Sequence, residues 1–327
     1  MNRVVERLFK GCRMPVMPIM THPGIDLLGR TVADAVSGGR VHADAIVALR
    51  GKYPQNAAST TIMDLSVEAQ AFGAEIVFEE GSVPTVTGRL LTCGADVETL
   101  EIPSLEQGRL PEYLKAIRLA APRLDCDLLG GCIGPFSLAG RLYDMTELMM
   151  AMYIEPDTAH LLLQKCTDFI LSYVKAIKEA GASGVIMAEP ASGLLSNDDC
   201  AQFSSAYVRQ IVSAVQDDTF AVVLHNCGNQ GQCTEAMVAS GAAALHFGNA
   251  IDMAGVLSSV PRDIAVMGNV DPVGVMKFGT PQQVAESVLA LKQLSAGHDN
   301  FVLSTGCDVP PATPEANIDA FYESANI

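Results

Sequence analysis

The chain has 327 residues, 49% of them hydrophobic, with 21 basic against 37 acidic side chains and a net charge of −16. This is ample for a large core, and the shortage of Lys and Arg argues against nucleic acid or an anionic membrane as a partner, since clustered cations hold both. No apolar run reaches the roughly 18–20 residues of a membrane span, and the start, MNRVVERLFKGCRMPVMPIM, is broken by Glu6 with no small-residue cleavage site after it, so the expected location is cytoplasmic.

Strand-like apolar runs alternate with amphipathic helical stretches from end to end. MPVMPIM (14–20) is the first expected strand, followed by a helical region over 31–73 that precedes or covers a barrel mouth. AEIVFEE (74–80) is the second, and residues 81–105, with VPTVTGRLL, read as an inserted hairpin and loop. CDLLGGCIG (126–134) and SGVIMAEP (183–190) follow, separated by the helical PDTAHLLLQKCTDFILSYVKAIKEAG with its terminal glycine stop. FAVVLHNCG (220–228), AALHFG (243–248), DIAVMG (263–268) and NFVLSTG (300–306) complete eight, with helical patterns such as PQQVAESVLALKQL between the later ones. Repeated strand–helix units imply parallel strands with right-handed crossovers. Eight of them predict an α/β fold, a (β/α)8 TIM-type barrel with an N-terminal helical segment, over 1–327 as a single domain.

Chemistry in such a barrel gathers at the C-terminal ends of the strands. Reading just past each run gives His22, Glu79 with Glu80, Cys132, Glu189, His225 with Cys227, His246, Asn269 with Asp271, and Cys307. The nine cysteines are odd in number and scattered, which is not a secreted disulfide framework; in a reducing compartment they are core thiols, metal ligands or nucleophiles. His225 and Cys227 lie two apart, hence on one face of an extended backbone. A closed barrel brings Cys307, after the turn at Gly306, to the same mouth. A His-Cys-Cys set suits Zn2+ in a catalytic site, where three protein donors leave the fourth position for substrate.

Blander readings stand beside this one. A lone His225 is ordinarily a hydrogen-bonded core histidine. Cys233 is an alternative partner for Cys227, though its place in the first turn of a helix favours a structural role. His246 and His22 read as packing or substrate-contacting residues, and Glu189 as either a fourth zinc ligand or a polar wall. GNVDP, holding Asn269 and Asp271, reads equally well as a turn cap. Tyr143 is a candidate pocket residue.

GPFSLAGRL (134–142), AEPASGLLSNDDCAQF (188–203), LHNCGN (224–229), MGNVDP (267–272) and STGCDVPPATPEANIDAF (304–321) resemble the uroporphyrinogen decarboxylase superfamily over nearly the whole chain. Within it, His-x-Cys with Gly-Cys-x-x-Pro-Pro is similar to the zinc-dependent corrinoid methyltransferases, including the methylcobamide:coenzyme M enzymes, and 63–86 looks like the same branch. The resemblance implies a (β/α)8 barrel and a zinc triad of His225, Cys227 and Cys307. It implies methyl transfer between a corrinoid's methyl–cobalt and a small, coenzyme M-like thiol or, in reverse, from a methylated donor to cob(I)alamin. Asn269 and Asp271 then orient neighbouring groups or contact the corrinoid. The Asp-x-His-x-x-Gly cobalt-binding motif is absent, so a small corrinoid-binding partner protein is expected to supply the cofactor.

Two rivals remain at this point. The decarboxylase branch carries an Arg-Gln-Ala-Gly-Arg segment for porphyrinogen carboxylates, but here MTHPGIDLLGRTVADAV offers Arg30 alone, and the late Gly-His-Gly is replaced by Gly306-Cys307-Asp308. A non-catalytic corrinoid-binding protein is the other, and it would leave a three-ligand zinc with an unused position. The sulfonate of coenzyme M wants a cationic or amide-rich pocket, for which Arg30, Arg89 and Arg141 are the candidates.

Overall fold

The computed structural model describes residues 1–12, 14–79 and 81–326. Its strands are β1 (Ala58–Thr60), β2 (Glu75–Val77), β3 (Thr85–Thr87), β4 (Asp127–Ile133), β5 (Gly184–Ala188), β6 (Ala221–Asn226), β7 (Ala244–Phe247), β8 (Ala265–Val270) and β9 (Phe301–Thr305). Seven form one sheet, in the order β1-β4-β5-β6-β7-β8-β9, with every pairing parallel. The sheet curls until both edges meet the same stretch of chain. Met17 N–H donates to the Leu303 carbonyl and Leu303 N–H to that of Pro15, while Ala57 N–H donates to the Val16 carbonyl.

The fold is therefore α/β with a curled parallel sheet, as the alternation of runs predicts, but three elements differ from expectation. MPVMPIM (14–20) is not a strand and meets the sheet through an isolated parallel bridge from Val16 to Leu303 and the bonds just named, so the described sheet has seven strands, not eight. AEIVFEE does not enter the sheet. Its central residues form β2, which pairs antiparallel with β3 in a separate hairpin over 75–87, so the hairpin begins earlier than 81. Glu75 and Val77 are exposed, and a strand wetted on that face cannot occupy the doubly covered position of a parallel sheet. The sheet position goes instead to β1, a three-residue Ala-Ser-Thr strand inside the region read as helical over 31–73. Helices do fill much of that region, at Val32–Ser37, Gly39–Lys52 and Val67–Ala71. Helix Gly94–Thr99 lies within the predicted insertion.

β5, β6, β7 and β9 are buried along their whole length because both faces are covered. Helices pack outside, the longest being Pro156–Glu179, whose buried stripe includes Leu162, Leu163, Cys166, Phe169, Ile170 and Tyr173. It stops just before Gly181, whose φ of +107° suits a residue without Cβ. Inside the sheet, Leu129, Ile186, Val223, Ala244, Met267 and Val302 form a second apolar cluster. Val4, Val5 and Leu8 of helix Arg3–Leu8 join it.

Two residues beyond each of these inward positions the side chain points inward again, one layer nearer the C-terminal mouth. Those next positions are Gly131, which has no side chain to offer, Ala188, His225, His246, Asn269 and Ser304. The strand period thus converts an apolar interior into a polar floor.

Candidate metal centre

His225, Cys227 and Cys307 come together at this floor. One ligand atom from each lies within 4.8 Å of the others. His225 sits at the end of β6 opposite Ala188 and His246, Cys227 follows one residue after the strand, and Cys307 lies two residues past β9. The loops are held by backbone contact. A Cβ on Gly248 would fall 2.6 Å from the Cys227 carbonyl oxygen, and one on Gly306 would fall 2.5 Å from the Asn249 amide nitrogen. Only glycine permits these approaches.

The donor set fits a divalent metal on two observations. His225 is buried, and its Nε2 has no hydrogen-bond partner, which is costly for a polar atom with nothing to bind. The two thiols lie close enough to shift one another's acidity in opposite directions. The hydrogen bond from Cys307 pulls Cys227 down to about 7 against burial, while giving that bond, together with burial, pushes Cys307 up to about 12. Two sulfurs and an imidazole are a zinc-type set.

His246 is the part of the centre that sequence reasoning undervalued. Fully buried, it stands with Nδ1 2.8 Å from His225 Nδ1 and Nε2 2.9 Å from Ser304 Oγ. Burial, and then the neighbouring His225, hold it well below the usual histidine range. The signal was present in the spacing: Ala244 and Val223 are interior, so 246 and 225 share the next layer.

Above the triad opens a cavity of about 250 Å³. Its apolar walls include Ile19, Met63, Leu65, Val83 and the Pro310–Pro311 pair, and its polar lining is His22 and Asp308 beside the triad. His22 is buried at the start of helix His22–Leu27, with Nε2 3.5 Å from Asp308 Oδ2, and burial pulls it down to about 4 although Asp64 opposes this. Asp308 Oδ2 also accepts from the Met63 amide at 3.3 Å. Asp308 was not singled out by sequence, because an Asp after a Gly-Cys turn reads as a loop residue.

The remaining candidates are placed elsewhere. Glu189 is buried but turned toward helix Pro135–Tyr143: Oε1 accepts from Phe136 N–H, and Oε2 from the Ser137 N–H and hydroxyl, at 2.7–2.9 Å. It therefore caps a helix and does not join the triad. Burial nevertheless pushes it up to about 7. Asn269 donates through Nδ2 to the Gly248 and Ile251 carbonyls, fixing the loop after β7. Asp271 Oδ1 accepts from the Val273 and Gly274 amides, which is the turn-cap alternative. Tyr143 is buried outside the cavity lining. Cys233 gives its thiol to the Ser192 and Leu195 carbonyls at 3.3 Å, away from the triad. Cys132 is buried in β4, Glu79 is exposed, and Glu80 lies outside the described residues.

A family model for uroporphyrinogen decarboxylase (URO-D) matches residues 13–326. The chain belongs to the uroporphyrinogen decarboxylase family. It is 30% identical over 278 residues to the methylcobamide:CoM methyltransferase MtbA of Methanosarcina acetivorans, covering 80% of this chain and 77% of that protein. It is 32% identical over 282 residues to the uroporphyrinogen decarboxylase of Erwinia tasmaniensis, covering 81% and 78%. Among solved structures, a methyltransferase from Methanosarcina mazei superposes with a TM-score of 0.87 over 100% of this chain and 99% of its own, at 24% identity. Among the described residues, no helix is long and apolar enough to cross a membrane.

Proposed function

We propose that this protein is a zinc-dependent methyltransferase acting between the methyl–cobalt group of a corrinoid, presented by a small corrinoid-binding protein, and the sulfur of a small thiol, or in the reverse sense from a methylated donor. The observation that carries the reading is the meeting of His225, Cys227 and Cys307, drawn from two strands 80 residues apart, beneath a small cavity. The similarity to methylcobamide:CoM methyltransferases supports it. In this reading residues 1–327 form one cytoplasmic domain, 15–17 serve as an eighth stave of the barrel, and the 75–87 hairpin is an insertion at its mouth.

Zinc held by the triad supplies a Lewis acid that lowers the pKa of a thiol substrate. The chain's own residues do the rest. His246 holds the His225 ring through Nδ1, leaving Nε2 free to ligate. Two thiolates make the ligand set electron-rich, which keeps the substrate sulfur nucleophilic. The apolar walls and the Pro310–Pro311 pair exclude water and align the sulfur for in-line attack on the methyl group. Asn269 keeps the loop after β7, and with it Gly248 against Cys227, in place.

The decarboxylase reading is weaker on a specific observation: among the described residues, no Arg or Lys lines the cavity, and a polycarboxylate needs such partners. The test is methylcobalamin with a panel of small thiols and the zinc-loaded protein, followed by the visible spectrum of the corrinoid. Thiol-dependent demethylation that disappears in Cys307→Ala supports the proposal. Absence of demethylation with every thiol, or turnover of uroporphyrinogen, overturns it; corrinoid binding with no turnover indicates the non-catalytic alternative.

A further inference from the structure

The cavity over the triad carries a charge pattern unlike the one an anionic thiol requires. Its described lining offers apolar side chains, the triad, and two residues with hydrogen-bonding capacity left over. The three arginines that sequence position favours as sulfonate partners are elsewhere. Arg30 is exposed beside Arg40 and Asp44 on another surface, Arg89 is bonded to Glu147 at 3.1 Å, and Arg141 is not part of the cavity wall. Arg109 is buried, and its guanidinium is consumed by Asp64, Ser66 and Gln70. An anion placed deep in such a cavity gives up its hydration without gaining a counter-charge.

The polar side of the cavity points the other way. Asp308 Oδ1 and His22 Nδ1 are both buried atoms without a hydrogen-bond partner among the described residues, on two side chains that face one another across 3.5 Å. Buried polar atoms left open on residues that line a cavity are the mark of a ligand group not yet supplied. An uncharged hydroxyl or amide N–H satisfies an acceptor there without bringing charge into an apolar enclosure.

We infer that the substrate of this cavity is a small, uncharged molecule with a hydrogen-bond donor directed at His22 and Asp308, and that a sulfonate-bearing thiol of the coenzyme M type is a poor ligand. This rests on the methyl-transfer reading and narrows it. The chain then differs in substrate class from the methylcobamide:CoM methyltransferases it resembles, while using the same kind of sulfur chemistry.

The experiment compares three thiols that share a two-carbon stem: 2-mercaptoethanesulfonate, 2-mercaptoethanol and ethanethiol. Binding to the zinc-loaded wild-type protein is measured by calorimetry, and methyl transfer from methylcobalamin is measured alongside. The hydroxyl thiol is expected to bind at least about tenfold more tightly than the sulfonate. His22→Phe is expected to bring the ratio of 2-mercaptoethanol to ethanethiol affinity, taken within each protein, down to about one. Leu65→Arg, which places a cation on the half-buried wall, is expected to improve sulfonate binding about tenfold or more. Equal or tighter binding of the sulfonate by wild type overturns the inference and leaves methyl transfer standing, as does an unchanged hydroxyl preference in His22→Phe. Failure of all three thiols to bind or to accept methyl overturns the methyl-transfer reading as well.

Discussion

The Nδ1 atoms of His225 and His246 lie 2.8 Å apart, and His246 Nε2 lies 2.9 Å from Ser304 Oγ. One proton joins the two rings. If His225 ligates through the unpartnered Nε2, its own proton sits on Nδ1 and donates to His246 Nδ1, which puts the His246 proton on Nε2, facing Ser304. The chain of tautomers is then fixed from the metal outward. His246→Leu is expected to weaken zinc affinity by about 10–100-fold, measured by competition with a chromophoric chelator. His246→Asn, which keeps a side-chain acceptor, should fall between the two. Wild-type affinity in the leucine variant would show that the contact between the rings is packing only.

Metal content distinguishes the cysteines. Cys307→Ala and Cys227→Ala are expected to lose bound zinc, whereas Cys233→Ala should retain it, because its thiol is spent on the Ser192 and Leu195 carbonyls. Elemental analysis of the three purified variants beside wild type is the measurement, and retention by Cys307→Ala would remove the triad.

Glu189→Ala should keep its zinc and lose stability. The change leaves the Phe136 and Ser137 amides at the start of helix Pro135–Tyr143 without their acceptor, at a cost of roughly 1–3 kcal/mol for each buried group left unsatisfied. Denaturant unfolding gives the energy, and a loss of zinc in the same variant would return Glu189 to the ligand set.

Glu68 controls a pH dependence. It is fully buried, with Oε1 accepting from Ile133 N–H and Oε2 unpartnered, and burial pushes it up to about 7 from 4.5. The folded state therefore holds this proton more tightly than the unfolded one, so the contribution to stability is full below about 4.5 and is lost as pH rises through about 7. The span corresponds to about 3 kcal/mol. Glu68→Gln keeps an acceptor for Ile133 and should flatten this part of the stability profile, making the variant the more stable protein at pH 8. Parallel profiles for the two proteins would rule out Glu68 as the source.

The six strands β4 to β9 were legible because apolar runs covered on both faces leave a continuous hydrophobic pattern. Ala58–Thr60 was not, since three small residues have neither length nor periodicity, and only their parallel register on Asp127–Leu129, with the flanking Ala57 and Thr61 amides bonded to the Val16 and Leu129 carbonyls, makes them a sheet edge. AEIVFEE misled for the opposite reason: its composition is strand-like, and it is a strand, but exposure of Glu75 and Val77 is a tertiary fact. The triad was legible because its donors are chemically rare and sit at strand ends. Glu189 looked the same in sequence, and the direction it turns depends on where the next helix begins. The His225–His246 contact was readable only once the register of β6 on β7 was known, although the spacing of both from interior residues hinted at it, while Asp308 gave no signal because its partners His22 and Met63 come from distant loops.

Gly248 against Cys227 and Gly306 against Asn249 have a consequence beyond local fit. The spacing of the two sulfurs is inherited from main chain resting on main chain, so it does not depend on side chains that breathe and change rotamer. A cation that arrives finds its donors already assembled, and almost none of its affinity is spent on ordering the loops. The same rigidity narrows tolerance: a single methyl group at 248 or 306 would shift a whole loop, and the sulfur it carries would move with it.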